Sequence, residues 1–366
     1  MRVTHATTRL LRARSDRDQV VLPEWARCTA RPVPAAWPEN PPAVLSLHTD
    51  EGTTGRYGPV SPSVARIIMD QIIPAVTGQD ITSWRWLEDV VGTGRHHHGA
   101  HYRLAWSAVE LAAWDARGIG AQTPVANLLG SALRPKVPVY ASALGLDIAH
   151  PESPSVASWL ARQGYYGQKW QLPPVTESFT PGHALRLAER LCEAAGQGSR
   201  VMIDGRGLWD QNVARHMIAG LAGLGIAWVE EPTALSQHGS LPALPAEYHG
   251  FIAAGEHAYE LAQQLALVAH PSIGVIQPDI AWQGGFSRAL ILTTIAKIAG
   301  KPVIPHGASF IPGLILGAAA PMAVPAVEYH LTLEPVRQLI YKRPVRPEAG
   351  YASVPQAPGL GLEYLC

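Results

Sequence analysis

The chain has little of what several large protein classes require. Its 366 residues include three cysteines, Cys28, Cys192 and Cys366, odd in number, widely spaced and free of any Cys-x-x-Cys pattern. That argues against a disulfide framework or a cysteine-based zinc site and fits a reducing compartment. Charge is scarce as well, with 16% of residues Asp, Glu, Lys or Arg, against about a quarter in an average domain. The 29 basic and 29 acidic residues cancel. Nucleic acid and anionic membranes need a basic surface, so neither is expected as the main partner. A surface this poor in charge suggests that part of it is covered in a homo-oligomer. The longest apolar run, Phe310 to Val327, is broken by Pro312, Pro321 and Pro325 and does not read as a membrane span. Met1 to Arg14 mixes Arg, His and Thr and has no apolar stretch like a signal peptide's core, so a cytoplasmic location is expected.

What is present is a large apolar fraction, 47%, which excludes disorder and provides a sizeable core. The length suits one large domain with a smaller one. Ala43–Thr49 alternates like a strand and is followed by the turn Asp50–Glu51–Gly52. Pro62–Ile73 has helical spacing, with Val64, Ile67, Ile68 and Ile72 on one side, and Leu104–Leu129 carries Trp106, Val109, Leu111, Ala112 and Trp114 at helical intervals. Residues 1–135 therefore read as a small α+β domain.

From residue 136 the rhythm changes. Short β-rich runs at Val137–Ala141, Gln168–Leu172, Arg200–Ile203, Ala227–Val229, Phe251–Ala254, Gly274–Gln277, Val303–Ile304 and Val327–Tyr329 alternate with helix-length segments. Among those segments are His183–Ala195, Asn212–Leu224, Ala258–Ala269 and Ser287–Ala299. Eight strands separated by helices predict a closed parallel (β/α) barrel over residues 136–344. The Pro- and Gly-rich tail, 345–366, is expected to pack back on the first domain.

Barrel enzymes place chemistry at the C-terminal ends of their strands. Those ends carry Lys169–Trp170–Gln171, Asp204, Glu230–Glu231–Pro232, Gly255–Glu256, Pro278–Asp279, His306 and Glu328. Asp204 to Glu230 is 26 residues and Glu230 to Glu256 is again 26, the pitch of one strand-loop-helix unit. The three carboxylates should converge on neighbouring strands. Singly, each reads equally well as a helix cap or an ion-pair partner. Together they repel one another unless a cation sits between them, and oxygen-only ligands select a hard ion such as Mg²⁺. On the next two strands, Asp279 can fix the tautomer of His306 and leave its other ring nitrogen free for proton transfer.

As an ordered set, Lys169, Asp204, Glu230 in Val-Glu-Glu-Pro, Glu256 in Ala-Gly-Glu-His, Asp279 in Gln-Pro-Asp, His306 and Glu328 resemble the enolase superfamily, and within it the mandelate racemase subgroup. Ala105–Gly130 resembles that group's first-domain signature. The resemblance implies a modified TIM barrel of the enolase type with an N-terminal α+β capping domain. It also implies one Mg²⁺ per subunit and removal of the α-proton of a small-molecule carboxylate through an enediolate. Carried over, Asp204, Glu230 and Glu256 would bind the metal and Lys169 would polarise the substrate carboxylate. His306, oriented by Asp279, would be the base or acid, and Glu328 would hydrogen-bond a carboxylate oxygen.

Two departures bear on the reaction. Racemases of this group carry Lys-x-Lys at the end of the second strand, but here the second position is Gln171, which cannot exchange a proton. A two-base racemisation is thus disfavoured, while one His–Asp pair suffices to dehydrate a sugar acid to a 2-keto-3-deoxy acid. Arg206 stands where the family usually has Asn, and either contacts a distal substrate carboxylate or hydroxyl or pairs with Asp210. The cap is expected to supply a lid from Asp50–Gly58 and from Arg95–His101; the histidine-rich segment reads first as a solvated loop, with substrate hydroxyl contact, for which His98 is the candidate, and metal binding as alternatives. Trp170 and Trp282 are candidate pocket walls, with plain packing favoured for Trp282; His257 is a candidate support for Glu256. Other readings remain: an epimerase or cycloisomerase on a non-sugar carboxylate, or a catalytically silent binding protein.

Overall fold

In the computed structural model, which describes residues 1–11, 22–31, 42–83, 99–130, 134–176, 178–234 and 244–365, the chain builds two sheets. The first is an antiparallel meander of β1 (Val3–Leu10), β2 (Ala43–Thr49) and β3 (Thr54–Val60). In β2, Leu45 and Leu47 are fully buried while Ser46 and His48 between them are half-buried, as a one-sided sheet requires. The helix Ala100–Gly120 packs across β2 and β3. It comes so close that a Cβ at Gly55 would stand 2.0 Å from the Ala112 carbonyl oxygen. The 62–76 segment is helical throughout, started by Ser61, whose side chain accepts from Val64 N. Pro74 has no N–H to donate one turn back, and over Ile68–Ile72 the helix widens to a π turn.

The second sheet is the expected barrel. Parallel strands β4 (Lys136–Ser142), β5 (Gln168–Gln171), β6 (Val201–Asp204), β7 (Val229–Glu230), β8 (Ile252–Ala254) and β9 (Ile273–Ile276) follow in order, and β10 (Val327–His330) pairs with β4. The remaining gap is closed by residues 303–306. Ile304 N donates to Ile276 O at 2.9 Å, His306 N to Pro278 O at 2.9 Å, and Glu328 N to Pro305 O at 3.4 Å. The helices Pro181–Ala195, Gln211–Gly223, Leu261–Ala269 and Gly285–Ile298 differ from the sequence expectation by a few residues at their ends. The largest difference, at Leu261, arises because Glu260 forms a reciprocal capping box with Gln263. Among the described residues, no helix is long and apolar enough to cross a membrane.

Strand alternation divides the barrel lumen into layers. Tyr140, Met202, Trp228, Ala253, Val275 and Ile304 form an apolar cluster separate from the main core. Tyr140 and Trp228 meet edge-to-face, centroids 5.8 Å apart. Two residues further along the chain, the same inward direction belongs to Asp204, Glu230, Gln277 and His306. The barrel thus has an apolar floor and a polar layer above it.

Cap and barrel are joined by buried polar contacts. Glu110, on the 100–120 helix, accepts from Phe286 N, Ser287 N and Ser287 Oγ at the start of the 285–298 helix, and from Trp114 Nε1. Gly285 makes room for it: φ is +74° and a Cβ would meet Glu110 Oε2 at 1.8 Å. The tail first adds β11 (Tyr351–Ser353) antiparallel to β4 of the barrel. Only then does it reach the cap, where Leu360 N donates to Asp115 Oδ1 at 2.6 Å and Val125 N to Gly359 O at 2.8 Å.

Glu110→Gln replaces one accepting oxygen by an amide that faces the Phe286 N–H. A loss of about 1–3 kcal/mol is expected, read as a lower thermal unfolding midpoint. An unchanged midpoint would contradict the clamp.

Candidate active site

The polar layer is assembled by register. Gln171 on β5 lies beside Asp204 on β6, and Asp204 beside Glu230 on β7. Lys169, two residues before Gln171, also points inward and is 3% exposed. Its ammonium lies 2.5 Å from Glu230 Oε1, 2.8 Å from Glu328 Oε1 and 3.8 Å from Asp204 Oδ2. Gln277 Nε2 donates to the second oxygen of Glu230 at 2.8 Å. Burial alone would lower the Lys169 pKa, but the charges of Glu230, Glu328 and Asp204 hold it well above the usual value. Burial and mutual repulsion push Asp204 up to about 6 and Glu230 up to about 8, with Lys169 opposing both.

His306 forms the second cluster. Its Nδ1 is 2.8 Å from Asp279 Oδ2, and Asp279 Oδ1 accepts from Ala281 N and from Ser309 Oγ. Its Nε2 is 2.7 Å from Glu256 Oε2. Against the downward pull of burial, Glu256 and Asp279 hold the imidazole well above its usual pKa, which favours the imidazolium. Reciprocally, His306 outweighs burial and draws Glu256 down to about 2. Trp282 stands over the imidazole, ring centroids 5.0 Å apart. Nearby, His257 Nδ1 is 2.6 Å from Glu231 Oε2 and 3.4 Å from Glu256 Oε1, and the bond to Glu231 raises its pKa to about 8.

Most residues expected at the site face the barrel mouth, with several changes of role. Trp170 does not wall the pocket. It lies between Lys169 and Gln171, so alternation turns it outward, where it is fully buried and donates to Gln168 Oε1 at 2.9 Å. Trp282, for which packing was favoured, is the tryptophan against His306. Arg206 does not pair with Asp210, whose carboxylate caps the 211–223 helix. With its amide turned to satisfy both groups, Gln171 instead accepts from Arg206 Nε and Nη1. Glu328 is held well below the usual carboxylate range: burial opposes ionisation, and Lys169 and His330 overcome it. As an anion it pairs with the Lys169 ammonium at 2.8 Å through Oε1 and accepts from Gly307 N at 2.8 Å through Oε2, which makes it an anchor for Lys169 rather than a donor. Asp50–Gly58 forms the β2–β3 turn and part of β3. His98 and most of the histidine-rich segment lie outside the described residues.

Sequence reasoning passed over Gln277, Ser309 and His330. His330 is inward-facing by the same two-residue step from Glu328, and Gln277 by the step from Val275. Burial lowers the His330 pKa to about 4, so it is neutral, with Arg337 Nη1 at 3.0 Å from Nδ1 and Glu328 Oε1 at 3.1 Å from Nε2.

The capacity for a metal follows from charge. Asp204, Glu230, Glu231, Glu256, Asp279 and Glu328 crowd one end of the barrel against Lys169, His306 and His257, and negative charge is left over. The accessible donors are mainly carboxylate oxygens, which suits a hard divalent ion. Among the described residues, two trios have donor atoms within 4.8 Å of one another, His306–Glu328–His330 and Glu231–Glu256–His257. Neither is the trio expected from the sequence, because Lys169 draws Glu230 inward and His306 draws Glu256 aside.

A family model described as enolase C-terminal domain-like matches residues 154–365, and the mandelate racemase / muconate lactonizing enzyme N-terminal domain matches 28–130. A D-galactarolactone cycloisomerase from Agrobacterium fabrum is 26% identical over 340 residues, 87% of this chain and 88% of that protein. An arabinonate dehydratase from Saccharolobus solfataricus is 28% identical over 267 residues, 70% of this chain and 68% of that one. Among solved structures, a racemase from Streptomyces coelicolor A3(2) with bound magnesium superposes with a TM-score of 0.75 at 21% identity, covering 99% of this chain and 97% of the other. The 3,6-anhydro-D-galactonate cycloisomerase from Zobellia galactanivorans gives 0.72 at 22% identity, covering 88% and 92%. At these identities the solved structures show the shared fold.

Lys169→Met strips three buried carboxylates of their common cation. A loss of about 3–5 kcal/mol is expected. Acids whose folded pKa is raised favour the folded state at low pH, and their penalty grows from the usual carboxylate range up to about 8 for Glu230. The variant's fall in thermal midpoint should therefore be larger at the alkaline end of that window than at the acidic end. A small, pH-independent change would contradict this electrostatic reading.

Proposed function

The chain belongs to the enolase superfamily, in its mandelate racemase group, and on that premise we propose that it is a Mg²⁺-dependent hydro-lyase that dehydrates a sugar acid to a 2-keto-3-deoxy acid. The carrying observation is the asymmetry of the proton-transfer groups. One side has the Asp279–His306 dyad with its 2.8 Å bond, and the strand that would furnish a second base ends in Gln171, bonded to Arg206. The names of several relatives support the same class: arabinonate dehydratase at 28% identity and D-galactonate dehydratase of Verminephrobacter eiseniae at 27%.

Asp204, Glu230 and Glu256 would hold the Mg²⁺, which supplies positive charge against the negative charge that builds on the substrate carboxylate as its α-proton leaves. Lys169 binds and polarises that carboxylate. It is positioned for this by Glu328, itself fixed by Gly307 N and His330. For His306 to take a proton, Glu256 must leave Nε2, because an imidazolium clamped between two carboxylates has no free lone pair. Asp279, held by Ser309 and Ala281 N, keeps the proton on Nδ1 and so presents Nε2 to the substrate. His306 takes the α-proton at Nε2 and returns it to the β-hydroxyl as that group departs as water. The resulting enol tautomerises to the 2-keto acid. Trp282 beside His306 restricts water at the reacting face.

A second reading, cycloisomerisation of a lactone or anhydro-sugar acid, is favoured by the names of the cycloisomerase relatives and needs no second base either.

Proton NMR in D₂O with Mg²⁺ and a panel of sugar acids tests the proposal. The expected outcome is a 2-keto-3-deoxy product from at least one acid. His306→Asn should lower the rate by about 10²–10⁴-fold. Full activity in that variant would overturn the assigned base, and deuterium entering C2 without elimination would favour the second reading.

A further inference from the structure

We propose that Arg206 reads the far end of the substrate and that the preferred sugar acids are dicarboxylic. This deepens the dehydratase reading and rests on it.

Arg206 is exposed and follows the end of β6, one residue after Gly205. Its backbone is left-handed, φ +55°, in a residue that is not glycine. Such a conformation is strained for an L side chain and persists only where surrounding structure over-determines it. Here the surroundings do so. Gly205 N donates to Glu230 O at 2.9 Å, Gly207 N to Glu231 O at 2.6 Å and Trp209 N to Pro232 O at 3.1 Å. Arg206 N itself donates to Asp204 Oδ1 at 2.8 Å. The loop is thus laced to the main-chain carbonyls of Glu230, Glu231 and Pro232 on one side and to the Asp204 carboxylate on the other.

The guanidinium is aimed as well as anchored. Gln171 faces the barrel mouth directly above Lys169, and its amide oxygen takes the Nε and Nη1 hydrogens of Arg206. Gln171 does not take up the Nη2 hydrogens, and among the described residues no carboxylate lies within ion-pairing distance of Arg206. A fork-shaped cation without an anionic partner, set beside a substrate pocket, is chemically suited to a carboxylate. Gln171 lies two strand positions beyond Lys169, a rise of roughly 7 Å. An extended carbon chain advances about 1.3 Å per bond, so the five bonds of a six-carbon chain cover roughly 6.5 Å, about the distance from Lys169 to the Arg206 level.

The test compares galactarate with galactonate, which differ at the far carbon by a carboxylate in place of a hydroxymethyl group. Binding is followed by calorimetry with Mg²⁺ present, and C2 exchange or elimination by NMR in D₂O. The wild type should favour galactarate by about tenfold or more in Kd and in kcat/KM. Arg206→Asn, which tolerates the left-handed backbone, should bring both ratios close to one, and Arg206→Lys should restore part of the preference. Equal handling of the two acids by the wild type, or a preference that survives Arg206→Asn, overturns the role of Arg206 while leaving the dehydratase reading intact. Absence of binding, exchange and elimination with both acids overturns the two together.

Discussion

Buried negative charge at the mouth of the barrel is the constraint on which the site depends. Asp204, Glu230 and Glu256 follow one another around the barrel mouth and Glu328 stands on β10, above an apolar floor that includes Tyr140, Met202 and Trp228. Carboxylates in such a place stay ionised only beside positive charge. Lys169 and His306 provide it, each by contacting more than one acid, and each is raised in pKa by doing so. In the proposed reaction the same two cations would act, one to grip a substrate carboxylate and one to move a proton. Electrostatic support and reactivity therefore reside in the same atoms.

That arrangement explains why side chains expected to meet at one centre are divided in two. Glu230 goes to Lys169 and Glu256 to His306, at 2.5 and 2.7 Å. A divalent ion competing for these oxygens would release Lys169 toward the substrate and Nε2 of His306 toward the α-carbon. The surrounding residues keep the exchange local: Glu328 tethers Lys169, Asp279 tethers His306, and Gln277 holds the outer oxygen of Glu230.

The barrel was legible in the sequence because its repeat is local: each strand-loop-helix unit announces itself within about 26 residues, and the strand ends carry the acids. The direction of Trp170 was legible too, since a residue between two inward-facing neighbours must face outward, but strand-end position alone suggested a pocket wall. Other features depend on contacts between distant segments. Nothing near Glu110 indicates that it will cap a helix 176 residues later. The tail's antiparallel pairing with β4 was equally hidden, because Tyr351–Ser353 is too short to signal a strand. The contest between Lys169 and a metal for Glu230 depends on distances that only the assembled barrel defines. The histidine-rich segment lies largely outside the described residues.

The most direct test of this account is a calorimetric titration of Mg²⁺ into the wild type and a set of single variants, without substrate. Asp204→Asn, Glu230→Gln and Glu256→Gln should each abolish or strongly weaken binding, while Asp279→Asn, Glu231→Gln and His330→Asn should retain it. Binding that survives the first three substitutions and is lost with Glu231→Gln or His330→Asn would put the ion in one of the other donor clusters and contradict the central claim.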